Sequence, residues 1–418
     1  MISGTSSDSP VMAEHINRLN KILVLNILRQ NKEISRADIV KISGLSAPTV
    51  TRIIESLVNI ERLAVESGIG ESSGGRPPLM VRFNSEENFV IGIDWGRTHI
   101  HGALTDLNAK IIYQLDIPVT TVPDLNKDLK LLNNLIETII SNSKVSLKKI
   151  HGIGLAVAGF VNEKSHVVEF SPNFGWKNVN IRQHLSQNFN LPVSVGNVSA
   201  LMALGELMYG HGERIKDFVF VNIGYGIGAG IISGGKPFKG FDGYAGELGH
   251  IGVKFLNKFH SRNCVCGKTD CLECYASGRG ITETVLKEHK KHKESSIHKF
   301  IGGDTSKINT ELIAQLANSG DAFAFDVMNN SAEMLGHALA TFSNLINPEA
   351  IIIGGKVALS GEFFIHKIEE AFNREILQKV KRPVKILKSA LLGQAGVRGA
   401  IALILSDVME LKVNNNPI

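Results

Sequence analysis

All four cysteines of this 418-residue chain, Cys264, Cys266, Cys271 and Cys274, fall within eleven residues. Disulfides that staple a secreted chain are spread along it, so this clustering fits a metal clip held in a reducing cytoplasm. Cys264-Val-Cys266-Gly-Lys-Thr-Asp-Cys271 sets three thiolates on a tight glycine-containing loop, which suits a tetrahedral ion, above all zinc. On spacing alone the fourth ligand is Cys274, His260 or His250. Four protein ligands leave no open position, which makes such an ion structural and not catalytic.

The chain is long enough for two to three domains, and 43% hydrophobic with 20% charged residues is an ordinary soluble globular balance. A small stapled scaffold is excluded. Met1 to Pro10 is Ser-rich without an apolar core and reads as a frayed terminus, not a signal peptide. Phe218 to Gly235 is uncharged, but its glycines fit strand, turn, strand better than a membrane span, so no membrane association is expected. The net charge of +5 decides nothing until it is located.

It is located near the start. Arg18 to Arg52 carries a net +5, although residues 1–88 sum to zero. Ile22, Leu23, Leu25, Ile27 and Leu28 predict a first helix. Ser35-Arg36-Ala37-Asp38 is a capping box opening a second, which Gly44 closes. Ser46 caps a third helix that tolerates Pro48 in its first turn and faces the core with Val50, Ile53, Ile54 and Leu57. Two short helices across a tight turn, with Ser46, Ala47, Thr49, Thr51 and Arg52 facing outward, form a helix-turn-helix whose small residues allow close approach to a DNA groove. The rival reading is a helical bundle for dimer contact. Leu63 to Val65 and Val81 to Phe83 make a wing, and Gly74-Gly75-Arg76-Pro77-Pro78 between them presents Arg76 to a narrow minor groove; a plain linker is the alternative.

Beyond residue 88, strand-like and helix-like patterns alternate without a solenoid repeat. Strands are predicted at Phe89 to Asp94, Ile100 to Leu107, Ile150 to Val157, Val193 to Val195, Phe218 to Ile223 and Ala350 to Ile353. Helices are predicted at Leu131 to Ile140, Ser199 to Tyr209, Asp321 to Ser343 and Gln394 to Leu405. This is an α/β chain in two lobes around a cleft. Glycine turns after strands, Asp94-Trp95-Gly96-Arg97-Thr98 and Gly224 to Gly230, suit either phosphates or tight hairpins.

Taken together, the residues resemble the ROK family (repressor, open reading frame, kinase), in its helix-turn-helix branch of sugar-responsive regulators. The most specific match is Gly246-Glu247-Leu248-Gly249-His250 followed by Cys264-x-Cys266-Gly-x-x-x-Cys271-x-Glu273. The resemblance implies an N-terminal winged helix-turn-helix joined to a two-lobed, actin-like ATPase fold of the ribonuclease H-like type. It implies structural zinc on His250, Cys264, Cys266 and Cys271, with Cys274 a bystander, and sugar hydroxyls held by Asn197, Glu247, His250 and Glu273. A metal-anchored imidazole offers its other ring nitrogen to a hydroxyl, while the carboxylates accept from neighbouring ones.

Departures from the family separate sensor from kinase. Family kinases carry Asn-Asp after a strand, the Asp taking the proton of the attacking hydroxyl; here Asn197 is followed by Val198, which accepts no proton. Arg97 stands at the second Gly of the first phosphate turn, and Tyr225 replaces Thr in the second. Asp270 replaces a Gly in the cysteine loop, and the gap from His250 to Cys264 is longer than usual. The expectation is a cytoplasmic regulator, most simply a repressor of sugar-metabolism genes. It would bind operator DNA as a homodimer or dimer of dimers, respond to a sugar or sugar phosphate in the interlobe cleft, and lack ATP and kinase activity. The rivals are a sugar kinase with an appended DNA-binding module and a zinc-stabilised interaction protein. The expected divisions are a disordered terminus over 1–17, the winged module over 18–67, and wing and linker over 68–88. A first lobe would span 89–195 plus 396–418, and a second 196–395.

Overall fold

In a computed structural model of the chain, the described residues are 10–414 apart from 71–76, 120–123, 163, 257–259, 360 and 378–382. Helix α1 spans Pro10–Gln30 and so begins inside the stretch expected to be disordered. Proline fixes a helical φ and needs no amide partner in a first turn, so the chain from residue 10 joins the helix.

Strand β1 (Ile34–Ser35) leads into α2 (Arg36–Ser43) and α3 (Ala47–Glu55). Ser35 Oγ accepts from the Asp38 amide at 3.1 Å and donates to its carboxylate at 2.7 Å, so Ser35 caps α2 as expected, while Asp38 reaches back to the Ser35 hydroxyl and not to its amide. Gly44, at φ +68°, ends α2 in the left-handed conformation that a side chain would strain. Ser46 Oγ accepts from the Thr49 amide and caps α3. The wing is β2 (Ala64–Ile69) against β3 (Leu79–Phe83), with β1 on the far side of β3. Gly74, Gly75 and Arg76 lie outside the described residues.

The first lobe is built from β4 (Phe89–Trp95), β5 (His99–Asp106), β6 (Ile111–Pro118), α4 (Leu125–Ser143), β7 (Ile150–Val157), β8 (Phe160–Val161), β9 (Val168–Ser171), β10 (Trp176–Val179), α5 (Ile181–Phe189) and β11 (Val193–Asn197). Helix α6 (Val198–Tyr209) follows. The second is built from β12 (Phe218–Ile223), β13 (Ile227–Ser233), β14 (Lys236–Phe238), α7 (Glu273–Ala276), α8 (Gly278–Glu288), α9 (Ile297–Ile301), α10 (Thr310–Asn318), α11 (Ala322–Ile346), β15 (Ala350–Gly354), α12 (Glu362–Glu375) and β16 (Lys385–Lys388); α13 (Ala395–Asn414) closes the chain.

The two five-stranded sheets repeat one topology, β6-β5-β4-β7-β11 and β14-β13-β12-β15-β16. Each is an antiparallel meander extended by two parallel strands. Central strands such as β4 are buried along their whole length, whereas β6, at the edge, alternates half-buried with exposed. This duplicated arrangement is the two-lobed, actin-like fold expected.

Helix α13 packs back on the first sheet, where Val397, Ile401, Ile404 and Leu405 share one apolar cluster with Val90 and Ala103. That cluster runs on into Val24, Leu25, Leu28, Ile54 and Leu57 of the winged module, so module and lobe have a continuous core. Helices α6 and α13 cross closely enough that a Cβ on Gly399 would stand 1.8 Å from the Leu201 carbonyl. Among the described residues, no helix is long and apolar enough to cross a membrane.

Candidate functional site

The loops after β14 gather His250, Cys264, Cys266 and Cys271 so that their ligand atoms all lie within 4.8 Å of one another. Cys264 Sγ is 3.6 Å from His250 Nδ1, and Cys266 Sγ is 3.6 Å from Cys271 Sγ. Thiolates about 2.3 Å from a tetrahedral ion stand about 3.8 Å apart, so the donor set fits a metal such as zinc. Burial, reinforced by neighbouring thiols, raises the Cys271 thiol well above its ordinary value, so three thiolates here call for a cation. Cys274 is outside this group; its buried Sγ faces the Asn263 carbonyl at 3.9 Å, and burial pushes its thiol up to about 12. His260 is likewise outside the cluster.

Residues outside the ligand set hold the loop. Asp270 adopts φ +56°, the conformation a Gly would take there, and its carboxylate accepts from Tyr275 Oη at 2.5 Å, Ser261 Oγ at 2.7 Å and the Arg262 amide at 2.9 Å. Buried Arg262 donates to the carbonyls of Cys274 and Gly280 at 2.6 and 2.9 Å and lies over the Tyr275 ring. The Asp therefore replaces a glycine's freedom with three hydrogen bonds, which explains how the loop keeps its course.

His250 turns its other nitrogen outward, with Nε2 3.7 Å from Glu247 Oε2. Glu247 keeps 42% of its side chain exposed, yet the cleft walls and then the Glu273 charge raise its carboxyl to about 7. Glu273 is buried, with Oε2 accepting from the Ile227 amide at 2.9 Å and Oε1 3.4 Å from Arg279 Nη2. Asn197 is more occupied than its sequence position suggests. Its Oδ1 caps α6 through the amides of Ser199 and Ala200 at 2.9 and 3.1 Å, and its Nδ2 donates to the Gly159 carbonyl at 2.9 Å.

Val198, the first residue of α6, is half-buried and offers no proton acceptor. Asp94, next to last in β4, lies under α13, where a Cβ on Gly396 would stand 2.1 Å from its Oδ2. Burial raises its carboxyl to about 7 against the opposing charge of Lys356. Lys356, after β15, lies 3.2 Å from His99 Nδ1 of β5 and so bridges the lobes. Arg97 is half-buried within electrostatic range of Asp128 on α4, and Tyr225 is 40% exposed.

On the winged module, Ser46, Ala47 and Arg52 are exposed and Thr49 and Thr51 half-exposed along α3. Arg52 Nη2 donates to Asn17 Oδ1 of α1 at 2.7 Å, and Arg36 pairs with Glu66 of the wing at 3.2 Å.

The ROK family profile matches residues 90–407, and a winged helix-turn-helix DNA-binding profile matches residues 18–61. The chain is 34% identical over 395 residues to a xylose repressor of Caldicellulosiruptor bescii, covering 94% of this chain and 97% of that one. It is 30% identical to a glucokinase of Halalkalibacterium halodurans, over 79% of this chain and 98% of that one. A solved ROK family transcriptional regulator, a homologue of the E. coli MLC protein, superposes with a TM-score of 0.81 at 28% identity, over 96% of this chain and 100% of that one. The chain belongs to the ROK family and carries an N-terminal winged helix-turn-helix.

Proposed function

We propose that this protein is a sugar-responsive transcriptional repressor: a cytoplasmic dimer, or dimer of dimers, that binds operator DNA and takes a sugar or sugar phosphate in the interlobe cleft. The observation that carries this reading is the continuous core joining a winged helix-turn-helix to a sugar-kinase-type lobe pair. That lobe pair groups Glu247, His250 and Glu273 around a cysteine loop yet has Val198 where a kinase needs its base.

In this reading zinc sits on His250, Cys264, Cys266 and Cys271, where the donor set suits it. His250 Nδ1 meets the ion while Nε2 and the carboxylates of Glu247 and Glu273 face the hydroxyls. Asn197 adds its second amide hydrogen to the sugar. Ser46, Ala47, Thr49, Thr51 and Arg52 meet the major groove and Arg76 the minor groove. The sugar favours one closure of the lobes, and α6 passes this on, since it starts at the Asn197 cap and ends at Tyr209 against the winged module's cluster.

The kinase reading draws on the glucokinase relative. It requires a proton acceptor that Val198 does not supply. The deciding experiment is operator binding by fluorescence anisotropy, titrated with D-xylose first, because a relative is a xylose repressor, then with glucose and their phosphates. Release from the operator by one of these supports the reading. Salt-independent DNA binding, or phosphoryl transfer from ATP, overturns it.

A further inference from the structure

Two segments from opposite lobes meet beside Asn197 and Glu247. In the first lobe, the β8–β9 hairpin runs on from Gly159, whose carbonyl accepts from Asn197 Nδ2 at 2.9 Å. In the second, the segment after β14 passes through Tyr244 and reaches Glu247 three residues later. Tyr244 Oη donates across the gap to Glu169 Oε2 of β9. Its ring meets Phe160 of β8 edge-on, with centroids 5.2 Å apart at 86°, and Phe160 in turn stacks on Phe170 at 6.3 Å. Asn162 Nδ2 donates to the other carboxylate oxygen of Glu169 at 2.9 Å and so fixes how that carboxylate faces Tyr244. The Tyr244 hydroxyl first, and then Asn162, hold the Glu169 carboxyl below its ordinary range. An ionised acceptor therefore faces the phenol, and the bond between the lobes is of the stronger, charge-assisted kind.

The two sides of this contact are held differently. The hairpin is tied to its own lobe, where Ser171 Oγ donates to the Ala158 carbonyl at 2.5 Å. Tyr244 instead sits between Gly243 and Gly246, at φ +93° and +99°, conformations that a side chain would strain. The segment is pinned at Gly246, whose carbonyl accepts from the Ala229 amide at 3.0 Å. Closing loops pivot on a few residues that absorb a change in φ and ψ, and this pair of glycines supplies such positions on either side of Tyr244.

We propose that Tyr244 and Glu169 form a latch across the mouth of the interlobe cleft, closed over a bound sugar and opened for its entry and release, with Tyr244 as the positioning residue. The latch acts through its neighbours. Closed, it sets the hairpin that holds Asn197 and the segment that ends at Glu247 in one frame; open, it lets the two walls part, so the release rate of the sugar follows the latch. The sugar's part rests on the repressor reading, whereas the contact between the lobes does not.

The test is hydrogen–deuterium exchange on the full chain, read at 160–171 and 240–247 in Tyr244→Phe, Glu169→Gln and the double variant. Phe keeps the ring against Phe160 and removes only the hydroxyl; Gln keeps an acceptor and removes the charge. Without sugar, each single substitution should speed exchange about tenfold in both segments, including the one on the opposite lobe. The double variant should be no faster than the faster single one, as for one shared contact. The melting temperature, which a general loss of structure would lower, should change little. Faster exchange confined to the substituted segment, or effects that add in the double variant, would make each residue a local support and overturn the latch. Added D-xylose should slow exchange in both segments of the unmutated chain, and the variants should release xylose about tenfold faster in stopped-flow measurements. Cross-lobe exchange as expected with no slowing by xylose supports the latch and counts against xylose as the sugar. Xylose bound and released at the same rate by the unmutated chain and both variants upholds the sugar site and overturns the latch.

Discussion

Glu273 Oε2 accepts a hydrogen bond from the Ile227 amide at 2.9 Å, which ties the segment just past Cys271 to the glycine turn after β12. The approach is close enough that a Cβ on Gly226 would stand 2.5 Å from that oxygen. Removing the carboxylate strands a buried amide. Glu273→Ala is therefore expected to lower stability in urea titrations by about 1–3 kcal/mol, the cost of an unpaired buried donor. Glu273→Gln keeps an acceptor and should recover most of that stability while still weakening sugar binding. Equal stability loss in both variants would assign the effect to charge and not to the hydrogen bond.

The four-ligand cluster predicts one bound metal ion per chain by elemental analysis. Cys266→Ser should lose the ion, lower the melting temperature and loosen the segment from Glu247 to Glu273, leaving the winged module folded. Cys274→Ser should retain the ion, because Cys274 Sγ faces the Asn263 carbonyl and stands outside the cluster. Metal lost from Cys274→Ser but kept in the alanine variant of His250 would exchange the two assignments.

Much of this was legible because local chemistry dictates it. Ser35, Gly44 and Ser46 punctuate the helix-turn-helix through caps that work within four residues. The cysteine loop declared itself by ligand spacing. What the sequence hid is long-range. Arg262 reads as a surface charge until the fold packs it on Tyr275 and the carbonyls of Cys274 and Gly280. Short strands such as β8 and β9 carry too few residues to show a period. The duplicated sheet topology leaves no sequence repeat because each copy meets different helices. Lys356 and His99 are 257 residues apart, and the fold sets them 3.2 Å apart across the two lobes.

Val198 leads to a test of chemistry. The protein should show no sugar-dependent ADP release from ATP. Val198→Asp should restore at most a trace, because the variant regains the base while Arg97 and Tyr225 still stand in the two phosphate turns. Rapid turnover by Val198→Asp would make the base position the sole block, and turnover by the unmutated protein would make the chain a kinase.

Asp94 sets a pH dependence. Its carboxyl is raised from an ordinary value near 3.8 to about 7 by burial, with Lys356 opposing. The folded chain thus holds this proton more tightly than the unfolded chain. Its contribution to stability is fully present below about 4 and is lost as pH climbs to about 7, beyond which the curve flattens. Asp94→Asn should remove that slope, making stability measured by urea at pH 5 and pH 8 more nearly equal. An unchanged slope would move its origin to another buried acid.

Arg52 separates two roles on the recognition helix. Its Nη2 donates to Asn17 Oδ1 at 2.7 Å, so part of its charge is spent in holding α1 to α3. The side chain is exposed, and the pair is worth little to stability on its own. If Arg52 also meets a phosphate, Arg52→Ala weakens operator binding at all sequences and lowers the slope of log affinity against log salt by about 1. Thr51→Ala, without a charge to release counterions, should leave that slope unchanged and alter discrimination between operator variants. Asn17→Ala provides the control, since it frees Arg52 from α1 without removing its charge. It should preserve the salt slope, and a slope that falls in Asn17→Ala as much as in Arg52→Ala would mean that Arg52 acts by bracing the helices and not by contacting DNA.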